Sequence, residues 1–169
     1  MYLFETQRLN IRKLNEEDYK ILYPLHSDPN VMKFIREPDK NIEQTQKRML
    51  DMISYSKLNK EFGLFLAFTK DTDECIGWAI FLHAELNISN PIEIGYRLFP
   101  KFWGAGLATE LSSRLLKHAT EDLKLKKICA VTDPRHEKSM SVLKKCGFSY
   151  IEEREFYGHT CAYFEVNND

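Results

Sequence analysis

A mixed α/β sheet, antiparallel in its first half and joined by helical crossovers in its second, is the fold class this sequence predicts. Strand-like apolar runs crowd together between residues 62 and 99, with only short polar turns between them. Beyond residue 100, helix-periodic and strand-like segments alternate, as β-α-β units do. Nothing repeats, and with seven Gly and six Pro in 169 residues no linker divides the chain, so residues 1–169 are expected to form one domain.

Leu9-Asn10-Ile11-Arg12 alternates and opens the chain as a short strand. Asn15 reads as an N-cap, followed by Glu16, Glu17 and Asp18, where the helix dipole favours acids; Tyr19, Leu22, Tyr23 and Leu25 give that helix its apolar side. After the loop at Pro38, Asn41 to Leu58 predicts a second helix with Ile42, Met49, Leu50 and Ile53 on its inner face. Phe62–Phe68 and Cys75–Leu82, separated by the turn-rich Lys70-Asp71-Thr72-Asp73, predict a hairpin. A polar turn from Asn87 to Pro91 leads into the strand Ile92–Phe99, where Gly95 marks a bulge or a close approach. The chain then passes through Pro100–Leu107 into a helix on which Leu107, Leu111, Leu115 and Ala119 recur every four residues. Lys126 to Val131 is a further strand. His136–Lys145 is a short helix with Met140 and Leu143 inward and Gly147 as its C-cap. Tyr150–Phe156 and Thr160–Val166 close the chain as a hairpin around Tyr157-Gly158-His159.

Composition excludes several functions. At 43% apolar and 29% charged residues the chain is ordinary globular protein, and 24 basic against 25 acidic residues gives nucleic-acid binding no support. No apolar run approaches the ~20 residues that span a bilayer, and the N-terminus meets charge too early for a signal peptide. Cys75, Cys129, Cys146 and Cys161 are widely spaced with no CxxC pair, and read as thiols in a reducing cytoplasm. His26, His83, His118, His136 and His159 show neither HExxH nor ligand-like spacing with Cys, so no metal is expected.

The most informative segment is Trp103-Gly104-Ala105-Gly106, where a strand turns into a helix. Unpaired N–H groups at a helix N-terminus, uncrowded by side chains, receive phosphate, and alternating glycines let the backbone wrap an anion. A tight turn needing only positive φ would read the same. No Lys-Ser or Lys-Thr follows, so this is not a P-loop, and Thr109 replaces the third glycine of the dinucleotide fingerprint.

Here the sequence resembles the GNAT superfamily of N-acyltransferases. Trp103-Gly104-Ala105-Gly106-Leu107-Ala108 is similar to its Gln/Arg-x-x-Gly-x-Gly/Ala motif, with Trp in the Gln/Arg place. The Trp-Gly-x-Gly-x-Ala-Thr-Glu variant looks like the Rim-type ribosomal-protein N-acetyltransferases. So do Glu5-Thr6-Gln7-Arg8-Leu9, Arg12-Lys13-Leu14, Asp28-Pro29, Val31-Met32, Glu93-Ile94-Gly95-Tyr96, Asp133-Pro134, Ser139 and Cys146-Gly147-Phe148. The resemblance covers nearly the whole chain. It implies the GNAT fold, a mostly antiparallel mixed sheet splayed between its fourth and fifth strands and flanked by about four helices.

It implies site residues as well. The backbone from Gly104 through Ala105, Gly106, Leu107 and Ala108 to Thr109 would hold the coenzyme A pyrophosphate. Leu98 and Phe99 would offer main-chain groups to the pantetheine arm, one N–H polarising the thioester carbonyl. Ser139 would reach the sulfur or the arm, and His136, where the family usually has Asn, would contact the arm through its imidazole. Leu143 occupies the place of the family's Tyr general acid, a loss that chemistry tolerates because a thiol has a pKa near 8.5.

A primary amine, with a pKa of about 10, needs a proton acceptor before it attacks a thioester. Glu93, in the strand leading to the coenzyme loop, is that candidate; as a solvent-facing strand residue or salt-bridge partner it would be inert, and its facing flips if Gly95 bulges. Tyr96 and Tyr157 are fallback contacts to substrate that would otherwise pack in the core, and Tyr157, His159 or a water chain is the alternative base. Glu110 reads as a dipole partner of its helix. The expected activity is acetyl transfer from acetyl-CoA to a primary amine, a protein N-terminus or a small amine, by direct attack. The alternatives are a polyamine, amino acid or aminoglycoside acceptor, or a coenzyme A-binding module without turnover. No nucleic acid or membrane partner is expected; a homodimer stays open.

Overall fold

The computed structural model describes residues 1–169. Its strands are β1 (Phe4–Glu5), β2 (Leu9–Lys13), β3 (Gly63–Thr69), β4 (Cys75–His83), β5 (Ile92–Leu98), β6 (Lys127–Thr132), β7 (Ser149–Phe156) and β8 (His159–Asn167). Its helices are α1 (Tyr19–His26), α2 (Pro29–Met32), α3 (Ile42–Leu58), α4 (Leu107–Lys117) and α5 (Glu137–Lys145). The strands form one sheet in the order β1-β2-β3-β4-β5-β6-β8-β7, antiparallel throughout except for β5 and β6. This is the GNAT fold the sequence predicts, with one more helix, the single turn α2, which Asp28 caps by accepting the Asn30 N–H at 2.8 Å.

The splay falls where it was expected. The short β1 raises the count by one, so the predicted fourth and fifth strands are β5 and β6. They share register only at Ile92↔Ile128 and Glu93↔Cys129 before diverging.

Each sheet face has its own core. Leu107, Leu111 and Leu115 of α4, with Leu143 of α5, pack on Ile92, Ile94, Leu98, Ile128 and Phe164. On the opposite face Leu22, Leu25, Met32 and Met49 cover Leu64, Leu66, Phe68 and Trp78. The inner line of α3 differs from the prediction. Thr45 and Met49 are buried and Met52 packs beside them, whereas Leu50 is exposed. Thr45 earns its place by donating to buried Asp39 at 2.7 Å, a polar anchor that an apolar pattern cannot reveal.

Gly95 makes no bulge, since β4 and β5 pair without a break from Gly77↔Leu98 to His83↔Ile92. A Cβ at Gly95 would stand 3.1 Å from Ile80 Cγ1, so the glycine serves a close cross-strand approach. With no bulge, alternation puts Glu93, Gly95 and Arg97 together on the face turned away from α4.

Candidate active site

Gly104 and Gly106 both adopt left-handed backbone, φ +75° and +77°. A Cβ at Gly104 would meet nothing within 4 Å, and one at Gly106 only Arg8 Nη2 at 3.5 Å. Gly106 is the N-cap of α4, whose first intrahelical bond is Glu110 N–H to Gly106 O at 3.0 Å. The N–H groups of Gly104, Ala105, Gly106, Leu107, Ala108 and Thr109 consequently have no acceptor within the protein. These donors, around an open cradle at the positive end of a helix, fit a pyrophosphate. Trp103, in the Gln/Arg place of the motif, ties the loop to β5 by donating its indole N–H to Leu98 O at 2.8 Å.

The N-terminal segment braces this loop, a role its motif did not disclose. Arg8 donates through Nε to Glu110 Oε2 at 2.7 Å and through Nη1 to Ala105 O at 2.8 Å. Thr6 Oγ1 donates to Glu110 Oε1 at 2.6 Å and the Arg8 N–H does so at 2.8 Å. Burial alone would raise the Glu110 carboxyl, but these bonds from Thr6 and Arg8 hold it below its usual range. Arg8→Gln should therefore loosen the cradle and weaken coenzyme A binding about tenfold, the worth of one charge-assisted bond. Calorimetry finding wild-type affinity in the folded variant would reduce Arg8 to surface decoration.

Backbone polarity in β5 follows from one bond. The Phe99 N–H donates to Ile76 O at 3.0 Å, and its carbonyl accepts from the Phe102 N–H at 2.9 Å. Both main-chain groups predicted to meet the pantetheine arm at Phe99 are thus engaged inside the protein. Antiparallel alternation turns the N–H groups of Arg97, Gly95 and Glu93 toward β4, and those of Leu98, Tyr96 and Ile94 toward the open side. On that side the N–H groups of Leu98 and Tyr96 have no strand partner.

Glu93 sits at the fork of the splay, 3% exposed. Its Oε2 accepts the Tyr157 hydroxyl, and its Oε1 turns toward Gly95, 3.8 Å from where a Cβ would be, with no protein donor. Burial pushes the carboxyl up to about 7, against the Tyr157 hydrogen bond and with some help from Glu85. Burial and then Glu93 push the Tyr157 hydroxyl well above its usual range. Tyr157 is placed by Glu85, whose Oε1 accepts the Tyr157 N–H at 2.7 Å and whose N–H donates to the Tyr157 hydroxyl at 3.1 Å. Those bonds hold Tyr157 at φ +56° in the hairpin turn, a conformation that costs a non-glycine residue about 1–2 kcal/mol.

In α5, His136 does the work of an N-cap: its Nδ1 accepts the Ser139 N–H at 3.3 Å, and its ring packs on Phe34 with centroids 4.7 Å apart. Only Nε2 is left to reach a ligand arm. Burial pushes the Tyr96 hydroxyl upward, against the opposing influence of Ser139. Leu143 is core. A cavity of about 820 Å³ lies between α2 with its following loop, the β6–α5 loop and the terminal hairpin; Lys33, Phe34, Arg36, Asp133, Arg135 and His159 are among its walls. No group of three or more His, Cys, Asp or Glu converges as metal ligands would, and no helix is long and apolar enough to cross a membrane.

A sheet split at its one parallel junction, with an open glycine loop of unpaired N–H groups where the strand beside the split enters a helix, is the architecture of an acyl-CoA N-acyltransferase. Residues 8–149 match the acetyltransferase (GNAT) domain family, and the chain belongs to it as an N-acetyltransferase. An uncharacterized N-acetyltransferase, p20, of Bacillus licheniformis is 32% identical over 144 residues, covering 85% of this chain and 80% of that one. The ribosomal-protein-S5-alanine acetyltransferase of Vibrio fischeri superposes with TM-score 0.77 at 20% identity, covering 98% of this chain and 96% of the other. The spermidine N-acetyltransferase of Vibrio cholerae, solved with CoA and spermine, gives TM-score 0.76 at 20% identity, with 95% of each chain covered. At such identity the common property is the fold. The comparisons support the family as a whole, and the Rim-type branch is one neighbour among several.

Proposed function

We propose that this acetyltransferase moves the acetyl group of acetyl-CoA onto a primary amine by direct attack, with Glu93 as general base. The carrying observation is the placement of Glu93: a buried carboxylate, its proton affinity tuned to neutrality, on the strand that leads into the cradle and at the fork where that strand parts from β6. Acetyl-CoA supplies an activated acyl group as a thioester.

The cradle from Gly104 to Thr109 anchors the pyrophosphate, and the Leu98 and Tyr96 N–H groups face the notch where the arm would add to the sheet. One of them would polarise the thioester carbonyl. Glu93 Oε1, left without a donor because Tyr157 takes Oε2, and turned along the strand toward Gly95, takes the proton of the attacking nitrogen as the N–C bond forms. The C–S bond then breaks, and the departing sulfur, with a thiol pKa near 8.5, needs little acid help. Tyr96 and Ser139 supply a hydroxyl pair on the coenzyme side. The thiols of Cys75, Cys129, Cys146 and Cys161 are all free, which suits a reducing cytoplasm.

Thiol release from acetyl-CoA with a panel of peptide N-termini, amino acids, polyamines and aminoglycosides tests this reading. Acceptor-dependent release is expected. Coenzyme A binding with no release for any amine would leave a binding module instead.

A further inference from the structure

Arg97 is the most anomalous charge in the molecule. Its Nε is buried with no hydrogen-bond partner, and its guanidinium enters no ion pair. Every other arginine except Arg114, which lies over Phe4, is paired with a carboxylate: Arg8 with Glu110, Arg12 with Asp18, Arg36 and Arg48 with Asp39, Arg135 with Asp133, Arg154 with Glu152.

The surroundings offer Arg97 nothing. Asp39, the nearby carboxylate, is already held by Arg36 Nη1 at 2.7 Å, Arg48 Nε at 3.2 Å and Thr45 Oγ1 at 2.7 Å. One carboxylate thus faces three guanidinium groups. His26 adds no charge of its own, since burial first, and then Arg97 and Arg36, push its imidazole down to about 3 and keep it neutral. Burial, with Arg36 and Arg48, lowers Arg97 itself to about 9, against the pull of Asp39, and it stays cationic at neutral pH.

Arg97 is also held ready. It lies over the Trp78 ring at 4.5 Å, and Trp78 is fixed by donating to His26 Nε2 at 3.0 Å. Stacking uses a face of the guanidinium plane and leaves its edge, the part that takes a carboxylate or phosphate in two parallel bonds. Along β5, Arg97 follows Glu93 on the same face with only Gly95 between them, so a base, a gap and an unpaired cation stand in line, about 13 Å from first Cα to last.

We propose that Arg97 is the anion-recognising residue of the acceptor site, and that the acceptor is a primary amine carrying a carboxylate or phosphate several bonds from its nitrogen. This rests on the acetyl-transfer reading and narrows it. A peptide N-terminus followed by an acidic side chain has the required form; a polyamine, wholly cationic, does not. Arg36, which belongs to the same charge cluster and lines the 820 Å³ cavity, extends the positive field toward solvent.

The test compares aminohexanoate, hexylamine, spermidine and phosphoethanolamine as acceptors for wild type, Arg97→Gln and Arg97→Lys. Wild type should prefer aminohexanoate to hexylamine by about tenfold to a hundredfold in kcat/KM, the worth of hydrogen bonds to a charged group. Phosphoethanolamine outrunning aminohexanoate would assign the site to phosphate. Arg97→Gln should erase the preference through KM while leaving the acetyl-CoA KM and the hexylamine rate in place; Arg97→Lys should keep part of it. Equal losses for both amines, or a wild type that prefers spermidine, would overturn the proposal. Calorimetry of aminohexanoate on the coenzyme A complex gives a readout without turnover. Tight binding by wild type and weak binding by Arg97→Gln, in a protein that acetylates nothing, would uphold Arg97 and sink only the transfer; no binding would sink Arg97.

Discussion

Replacing Glu93 by glutamine should lower kcat by about 10²–10⁴-fold at neutral pH, the usual worth of a general base, with acetyl-CoA affinity unchanged. Glutamine keeps the size of the side chain and an oxygen for Tyr157, so the fork of the splay stays filled. The variant should regain rate as pH rises and free amine becomes abundant, whereas wild type should lose kcat/KM on the acid side of about 7, where the carboxyl takes its proton. The same substitution has a stability signature. Burial raises the carboxyl from 4.5 to about 7 on folding. Between those values the folded protein holds a proton that the unfolded chain has lost, so stability falls as pH rises through that window and is level above it. Glu93→Gln abolishes that fall. Thermal melts should show it more stable than wild type above pH 7, by ~3 kcal/mol, and level with it near pH 4. A variant that turns over at wild-type speed would make Glu93 a bystander; one that melts lower at every pH would show the carboxylate to be a structural acceptor of Tyr157.

Gly106→Val should weaken coenzyme A binding by about 100-fold or more, since a branched side chain at the mouth of the cradle displaces at least two charge-assisted hydrogen bonds. The left-handed φ of +77° adds a cost of about 1–2 kcal/mol to the fold, so the melting temperature should fall as well. Gly158→Val, at φ +79° in the terminal hairpin with nothing within 4 Å of its Cβ position, carries the same strain far from the loop. Calorimetry should find coenzyme affinity lost in the first and kept in the second. Equal affinity in both would remove the loop from the site.

What the sequence disclosed of this site was local. The glycine cradle, the strand before it and the helix after it are contiguous, so spacing points to the N–H groups that the fold leaves without an acceptor. Glu93 was legible as a carboxylate in the right strand, but its facing hung on whether Gly95 bulged; only the unbroken register with β4 decides that. Contacts between distant segments left no trace. Arg8 and Glu110 stand 102 residues apart, and nothing in either neighbourhood announces the pair. The isolation of Arg97 is less visible still, because lacking a partner is a property of the fold and not of any motif. Leu50 turned outward for a related reason: α3 is oriented by the bond from Thr45 to Asp39, which a hydropathy pattern does not register.

The brevity of the β5–β6 junction has a mechanical meaning. Two register pairs are all that stitch the backbone of a five-stranded panel, β1 to β5, to a three-stranded one, β6 to β8. The seam is otherwise held by side chains beneath α4 and α5, where Ile94 on one panel and Ala130 and Phe164 on the other share a core. An extended arm seated in the notch, hydrogen-bonded to Tyr96 and Leu98, would act as a ninth strand on the larger panel and brace it against the smaller. Substrate would then be a structural member of the enzyme, and part of its binding energy would appear as rigidity of the sheet, with stability rising as the ligand's concentration passes its Kd.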